Sequence, residues 1–140
     1  MKTELVTQLT DKYPKLFEKV KAIYCGDGWY NLIDITCNLI QVYADRNNID
    51  PTAQIVFTNI SEQFGRLRLR YQTTEAHEYV KGVTEFAERM STELCELSGE
   101  RGSLHRTTQG HAKTLSRGVA EVMLAKPIIR ADAQVVDSGK

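Results

Sequence analysis

The stretch that decides the fold is residues 55–71, IVFTNISEQFGRLRLRY. Its first half is rich in β-branched and aromatic residues, which favour extended structure. Its second half alternates basic and apolar residues: Arg66, Leu67, Arg68, Leu69, Arg70 and Tyr71. Period-two alternation indicates a strand with one apolar and one polar face, and Phe64-Gly65 favours a turn between the halves. We therefore predict an antiparallel β-hairpin over about residues 53–72, with its apolar face toward the core and its three arginines on the opposite face.

Working outward from the hairpin, apolar residues recur every three or four positions, which is typical of amphipathic helices. This spacing predicts helices over residues 3–13, 28–46, 75–97 and 110–126, a turn or short helix over 14–23, and a loop over 101–109. The predicted fold is α+β, a mostly helical single domain over residues 1–129 with the hairpin packed on three or four helices. Residues 130–140 lack periodicity and are predicted to form a flexible C-terminal tail.

Two of these helices come with specific expectations about burial. In the helix over 28–46, Ile35 and Val42 widen the apolar face. The helix over 75–97, with Thr74 as its predicted cap and Ser98-Gly99 as its end, is expected to turn one stripe inward: Tyr79, Val83, Phe86, Met90, Leu94 and Leu97. In the last helix the residues expected to face inward are Ala112, Leu115, Val119 and Val122.

Charge is balanced over the chain but not along it. Eighteen Lys and Arg residues equal eighteen Asp and Glu residues, so a general attraction to nucleic acid or anionic membrane is not expected. Residues 75–100 nevertheless carry seven acids against two bases, and residues 101–130 carry six bases against one acid. We expect these two segments to attract each other.

The cysteines and the N-terminus bear on location. Cys25, Cys37 and Cys95 are odd in number and widely spaced, which favours free thiols in a reducing compartment. The N-terminal residues carry charges throughout and lack the apolar region of a signal peptide. We therefore expect a cytoplasmic protein without a membrane partner.

The sequence offers little that predicts catalysis. Cys25-Gly26-Asp27-Gly28-Trp29 either holds a reactive thiol at a helix start or forms a tight turn in which Asp27 caps the next helix, and we favour the turn. His77, His105 and His111 have no nucleophile at a telling spacing, and Cys95 with His105 and His111 is an unspecific set of metal ligands. We predict no enzyme activity, no metal and no cofactor.

Charged side chains are the candidate binding residues. Three arginines along one strand suit phosphate or carboxylate, although a solvated face partly neutralised by Glu62 across the hairpin is the simpler interpretation. The candidate contact residues are the hairpin arginines, an acidic helix face and three further bases: Arg66, Arg68, Arg70, Glu78, Glu85, Glu88, Arg106, Lys113 and Arg117.

Several short sequence segments, in the same order along the chain, resemble segments of a group of uncharacterised phage and prophage proteins. They are Cys25–Trp29, Glu62–Arg68, Phe86–Ser91, Cys95–Gly102 and Lys113–Leu115, similar to a CGDGW-like helix start, a KEKFGxLRF-like hairpin and a C-terminal CxxCGxxG…KTLCxxH-like zinc knuckle. Mapped by position, the knuckle ligands fall at Cys95, Ser98, Ser116 and Val119. Three of these four side chains are poor ligands for zinc, so we expect a degenerate knuckle without metal.

The resemblance implies a phage-type origin and no particular activity. We therefore expect a non-catalytic accessory protein that acts by binding a host protein, as an inhibitor of a host defence system such as CRISPR. The alternative is a nucleic-acid-binding accessory protein that uses the arginine-rich strand with Arg106, Lys113 and Arg117, and a homodimer is compatible with both.

Overall fold

The computed structural model describes residues 1–129, and this part of the chain contains four α-helices and five strands. The helices are α1 (Thr3–Lys12), α2 (Tyr30–Arg46), α3 (Glu78–Met90) and α4 (Arg117–Met123). The strands are β1 (Val56–Gln63), β2 (Arg66–Gln72), β3 (Ser103–Arg106), β4 (Ala112–Leu115) and β5 (Lys126–Pro127). The predicted α+β class is confirmed, and the predicted tail over 130–140 lies outside the described residues. None of the described helices has the length and apolarity to cross a membrane.

The predicted hairpin is confirmed, with its strands inside the predicted range. β1 and β2 pair antiparallel from Gln63 opposite Arg66 to Val56 opposite Gln72, with a bulge at Thr58. The turn residues Phe64 and Gly65 both have positive φ, at 53° and 80°. Leu67 and Leu69 are buried as expected, because they share a face with Ile60 of the partner strand.

The other edge of β2 is satisfied by side chains of the helix that follows it. The amide of Leu67 donates to Ser91 Oγ at 2.9 Å, and the amide of Leu69 donates to Glu88 Oε2 at 2.8 Å. A two-stranded sheet would otherwise present these amides as an open edge. The contact fixes α3 against the hairpin and decides which way the helix faces.

The orientation of α3 differs from the prediction. The helix begins at Glu78 rather than after Thr74 and ends at Met90, followed by a 3-10 turn over Ser91–Glu93. Its buried residues are Val80, Thr84 and Ala87. Tyr79 and Phe86, expected inward, are 44% and 67% exposed. The prediction was wrong because it considered only the spacing of apolar residues. In the structure, Glu88 and Ser91 accept hydrogen bonds from β2, and this sets which face of the helix is buried.

The C-terminal region also differs. The predicted loop over 101–109 contains β3, and the predicted helix over 110–126 is split into β4, the short helix α4 and β5. β3 is the centre of a three-stranded sheet between β4 and β5. Local residue spacing could not predict these strands, because each strand is stabilised by a partner elsewhere in the chain. Val122, which was expected to face inward, is 85% exposed.

Two clusters of buried side chains hold the fold together. The larger joins α1, α2, α3, the hairpin and the turns over residues 14–19; its bulkiest fully buried members are Trp29, Phe17, Phe57, Leu9, Ile33 and Ile60. The smaller consists of Cys95, Leu115 and Ala120, with Val119, Met123 and Ala125 packed against it.

The turn Gly26-Asp27-Gly28 joins the two clusters by close backbone contact. The Gly28 amide donates to Glu96 O at 2.7 Å, and Trp29 Nε1 donates to Leu94 O at 2.9 Å. A Cβ at Gly28 would lie 2.3 Å from Cys95 O. Asp27 does not cap α2 as predicted; its Oδ1 accepts from the amide of Lys2, just before α1, at 2.8 Å.

Replacing Gly28 with alanine is expected to lower the free energy of unfolding by about 3 kcal/mol, because backbone must move to admit the methyl group. The matched control is Gly82→Ala in α3, where a Cβ meets nothing within 4 Å. That change should leave stability unchanged or raise it by about 0.5–1 kcal/mol. Urea denaturation of both variants measures the difference, and equal stabilities would contradict the close contact.

Candidate functional site

An apolar groove lies between α2 and α3, and we call it the helix groove. Its volume is about 400 Å³, and its large apolar lining residues are Leu32, Ile35, Leu39, Tyr79, Val83 and Phe86. Ile35 and Phe86 are 61% and 67% exposed. Such a contiguous exposed apolar patch is typical of an interaction site. The sequence signal for this groove is the extra apolar width that Ile35 gives α2, which predicts burial in the core, whereas the structure exposes Ile35.

One end of the helix groove is held by an aromatic stack. Tyr79 stacks on Tyr43 with ring centroids 4.8 Å apart. The Tyr43 hydroxyl and His77 Nδ1 are 3.2 Å apart, and His77 Nε2 lies 3.2 Å from Ala53 O. These contacts hold the Tyr79 ring in place, so this end of the groove is formed before any partner arrives.

The three acids predicted to form a contact face have different roles. Glu78 lines the helix groove and is exposed, and Glu85 is exposed on the same helix. Glu88 is half-buried, accepts from the amide of Leu69, and lies 3.9 Å from Arg66 Nη2. Glu88 therefore supports the fold, while Glu78 and Glu85 remain available to a partner.

The polar face of the hairpin, which we call the arginine face, carries Arg66, Arg68 and Arg70. Their cross-strand partners are Gln63, Ser61 and Asn59, which are uncharged. The expected neutralisation by Glu62 is wrong, because Glu62 pairs with Leu67 and so lies on the opposite face. Sequence reasoning also missed Tyr24, which forms a parallel bridge with Ser61 and is 66% exposed.

Lys113, another candidate contact residue, belongs to a largely buried ion network. Its Nζ lies 2.6 Å from Glu62 Oε1 and 3.4 Å from Glu96 Oε1. Glu96 Oε2 also accepts from the amide of Gly26 at 3.0 Å. The Lys113–Glu96 pair joins the acidic and basic segments, whose opposite charges predicted attraction, and the structure places this contact within one chain.

Burial and charge act in opposite directions on the pKa values of this network. Burial raises the pKa of Glu96 above its ordinary value, and Lys113 and the Gly26 amide offset only part of this effect. Burial lowers the pKa of Lys113, but the hydrogen bond and charges of Glu62 and Glu96 outweigh it and raise the pKa overall. Lys113 therefore stays cationic and holds two carboxylates together.

Of the remaining candidate bases, Arg106 lies beside this network, in a hollow that Lys113 and Glu62 also line, and Arg117 lies on α4. Arg106 lines a hollow of about 680 Å³ beside the hairpin tip, shared with Phe64 and His111, and its Nη1 donates to Gly110 O at 3.0 Å. The Arg117 side chain is 94% exposed, and its Nε lies 3.4 Å from Glu121 Oε1 on the same helix.

Three of the four positions aligned with the knuckle ligands lie together. Ser98 Oγ and Ser116 Oγ are 3.5 Å apart, and the Ser98 amide donates to Cys95 Sγ at 3.4 Å. Val119 packs on the cluster that contains Cys95. Burial by itself raises the pKa of Cys95, but hydrogen bonds from Ser98 and from the amides of Ser116 and Leu97 bring it below its ordinary value.

The other thiols and histidines do not form a reactive centre in the described part of the chain. Burial, followed by the charge of Glu96, raises the pKa of Cys25 to about 12, which opposes an activated thiol. Burial also raises the pKa of Cys37. His105 is buried, with Nδ1 2.8 Å from Ser103 O. Within residues 1–129, no three His, Cys, Asp or Glu side chains are placed to hold a metal ion.

Lys113→Met is expected to lower the free energy of unfolding by about 3 kcal/mol near neutral pH, because it leaves buried carboxylate charge uncompensated. An acid with a raised folded-state pKa adds stability below its unfolded pKa and loses it as pH rises through the folded value. Since the variant raises the pKa of Glu96 further, its deficit should be smaller at about pH 5 than at about pH 7.5. Urea denaturation at both pH values tests this, with Lys126→Met as the exposed control. A deficit that does not change with pH would contradict the network.

The triple variant Ser98→Cys, Ser116→Cys and Val119→Cys is expected to bind one zinc ion, whereas the wild-type chain should bind none. Zinc–thiolate bonds of about 2.3 Å place sulfurs about 3.8 Å apart in a tetrahedron. The two serine oxygens are already 3.5 Å apart. Elemental analysis and cobalt absorption measure binding, with the triple alanine variant as control. Stoichiometric zinc in the wild type, or none in the cysteine variant, would contradict the degenerate knuckle.

Comparison of the chain with protein-family models, with curated proteins and with solved structures gave no match. Function is therefore inferred from the surfaces that the fold presents, and two of these stand out. The helix groove is apolar with an acidic rim residue, and the arginine face is basic with an aromatic neighbour.

Proposed function

We propose that the protein is a non-catalytic binding protein whose helix groove receives an amphipathic helix of another protein. The observation that carries the proposal is the exposure of Ile35, Leu39, Tyr79 and Phe86 along one groove. Helices commonly bind in this way, with apolar anchors at positions i, i+3 or i+4, and i+7.

The dimensions of the groove favour one helix as its occupant. α3 has 13 residues and is therefore about 20 Å long, which matches about four turns of a bound helix. A helix about 10 Å wide covers roughly 200 Å² on such a track. A standard interface buries about 800 Å² on each partner, so the groove by itself supplies only part of the contact with any protein partner. Contacts beside the groove must supply the rest of the affinity.

Charge indicates the sequence of the partner helix. Glu78 is the charged residue among those lining the groove, and Glu85 is exposed farther along α3. A partner that places Lys or Arg beside its apolar anchors would meet these carboxylates, which steer encounter and select register. We therefore assign the partner as a basic amphipathic helix.

The burial and raised pKa of the Cys25 thiol support a function in binding without catalysis. Cys25, the one candidate nucleophile of the sequence, is buried, with its pKa raised to about 12. An attacking thiol needs exposure and a lowered pKa. The proposal therefore gives the protein no chemical step.

The resemblance to phage proteins supports a setting for this contact. A phage-encoded accessory protein acts in the cytoplasm of the host, and a host defence protein, such as a component of CRISPR immunity, is the partner we propose. The groove, rather than an active site, would then carry the inhibition.

The binding proposal is tested by panning a displayed library of helical peptides against the protein. Enriched peptides should carry apolar anchors at helical spacing flanked by Lys or Arg, and Phe86→Glu should weaken their binding about tenfold or more by placing a charge in the groove. Val122→Glu, at an exposed site on α4, is the control and should leave binding unchanged. Peptides that bind the Phe86 variant equally well, or a wild-type dimer that Phe86→Glu dissociates, would contradict the proposed occupant.

The defence role has a separate readout in cells. Expression of the wild-type protein or the Val122 variant should raise plaque counts of a phage targeted by the host's defence system, and Phe86→Glu should abolish that gain. Equal counts with and without the protein would reject that role, while peptide binding still decides whether the groove is a docking site.

A further inference from the structure

We infer that the arginine face and Tyr24 together bind single-stranded nucleic acid. This surface adjoins the helix groove at Phe86, which also lines a hollow with Arg66, and its ligand goes beyond the protein-binding function proposed above. Its basis is a row of cations without acids across the hairpin, next to an exposed aromatic ring.

The first step is the spacing of the cations. Residues two apart on a strand lie on the same face and about 6.6 Å from each other. This spacing is close to that of successive phosphates along an extended single strand. Arg66, Arg68 and Arg70 therefore present guanidinium groups in a repeat that a sugar–phosphate backbone can follow, and guanidinium suits phosphate because it donates two parallel hydrogen bonds.

The second step is the electrostatic surroundings of these cations. Opposite the arginines stand Gln63, Ser61 and Asn59, and Glu62 lies on the other face with Lys113. Arg66 Nη2 lies 3.9 Å from Glu88 Oε1. Within residues 1–129, no ion pair to Arg68 or Arg70 is formed. Arg70 is exposed and Arg68 is half-buried with its Nε covered, so the positive charge of these two side chains is not neutralised by an ion pair in this part of the chain.

The third step is the aromatic ring. The Tyr24 amide donates to Ile60 O at 2.9 Å, and the Glu62 amide donates to Tyr24 O at 2.9 Å. This bridge makes Tyr24 a third member of the row that contains Ser61 and Arg68. Paired residues share a face, so the exposed ring stands on the same side as the arginines.

The arrangement accounts for a nucleotide better than for an acidic peptide. Tyr24 and Arg68 are two strand spacings apart, or about 10 Å. A nucleotide can span that distance with its base on the ring and its phosphate at the guanidinium. Ser61 and the exposed amides of Asn59 and Gln63 offer hydrogen bonds to base edges between them. Stacking on a sheet face requires an unpaired base, which favours a single strand over a duplex.

The test is fluorescence anisotropy with a labelled oligothymidylate of about 12 nucleotides at low salt. Three phosphate contacts predict that log affinity changes with log salt concentration with a slope of about −2. In Arg68→Gln/Arg70→Gln one contact remains, so the slope should become shallower, at about −0.7. The double variant should bind about tenfold or more weakly. Arg46→Gln is the matched control, since that arginine is exposed at the end of α2 and should leave binding unchanged.

The aromatic ring is tested separately. Tyr24→Ala should weaken binding about fivefold or more, whereas Tyr24→Phe keeps the stacking surface and should bind like the wild type. Circular dichroism establishes that each variant is folded.

Three outcomes would overturn the inference: no binding at low salt, equal binding by the double arginine variant, or binding that Tyr24→Ala leaves unchanged. Duplex DNA that binds as tightly as the oligothymidylate would also overturn the inference. Equally tight binding of polyglutamate would overturn it too, because the arginine face would then suit an acidic protein. None of these outcomes bears on the helix groove, which is tested by Phe86→Glu.

Discussion

The structure depends on one close backbone contact, in which the turn over residues 26–28 lies against the segment over 95–99. Two glycines are needed because a Cβ at Gly26 would lie 2.4 Å from Glu96 O and one at Gly28 would lie 2.3 Å from Cys95 O. The contact places Trp29 in the main core and fixes the start of α2. It also brings Cys95, with the smaller cluster around it, against the larger one. Loss of this approach would therefore remove the backbone contact that joins the two clusters.

An ion network at the same junction adds charged contacts to the backbone contact. Glu96 lies at the junction, bound to the amide of Gly26 and paired with Lys113 of β4. Lys113 also holds Glu62 of the hairpin, so one cation joins three parts of the chain. A largely buried network of this kind contributes little net stability but is costly to break, because each group has already lost its water. Its value here is orientation: together with the hydrogen bond from Thr114 to Gly65 O, it holds the tip of the hairpin against β4.

The two surfaces proposed for binding result from how α3 is held. Ser91 and Glu88 meet the amides of β2, so α3 directs Val80, Thr84 and Ala87 inward and leaves Tyr79 and Phe86 beside α2. The same contact covers the free edge of β2 while its arginines project from the sheet face. A protein partner in the helix groove and a nucleic acid on the arginine face would therefore use neighbouring surfaces of one scaffold, which meet at Phe86.

Patterns that need only near neighbours were enough to predict the hairpin, its turn at Phe64-Gly65 and the extents of α1 and α2, because alternation and helical spacing report local geometry. Residues 103–115 were mispredicted because a strand is stabilised by its pairing partner, and here β3 and β4 stabilise each other. The exposure of Phe86, the engagement of Lys113 and the position of Tyr24 beside Ser61 were beyond the sequence for the same reason. The sequence by itself determined which charged residues were candidates for binding. The tertiary structure decided which of them face solvent and brought apolar side chains such as Phe86 and Tyr24 to the surface, because exposure depends on contacts between residues as far apart as Gly26 and Glu96.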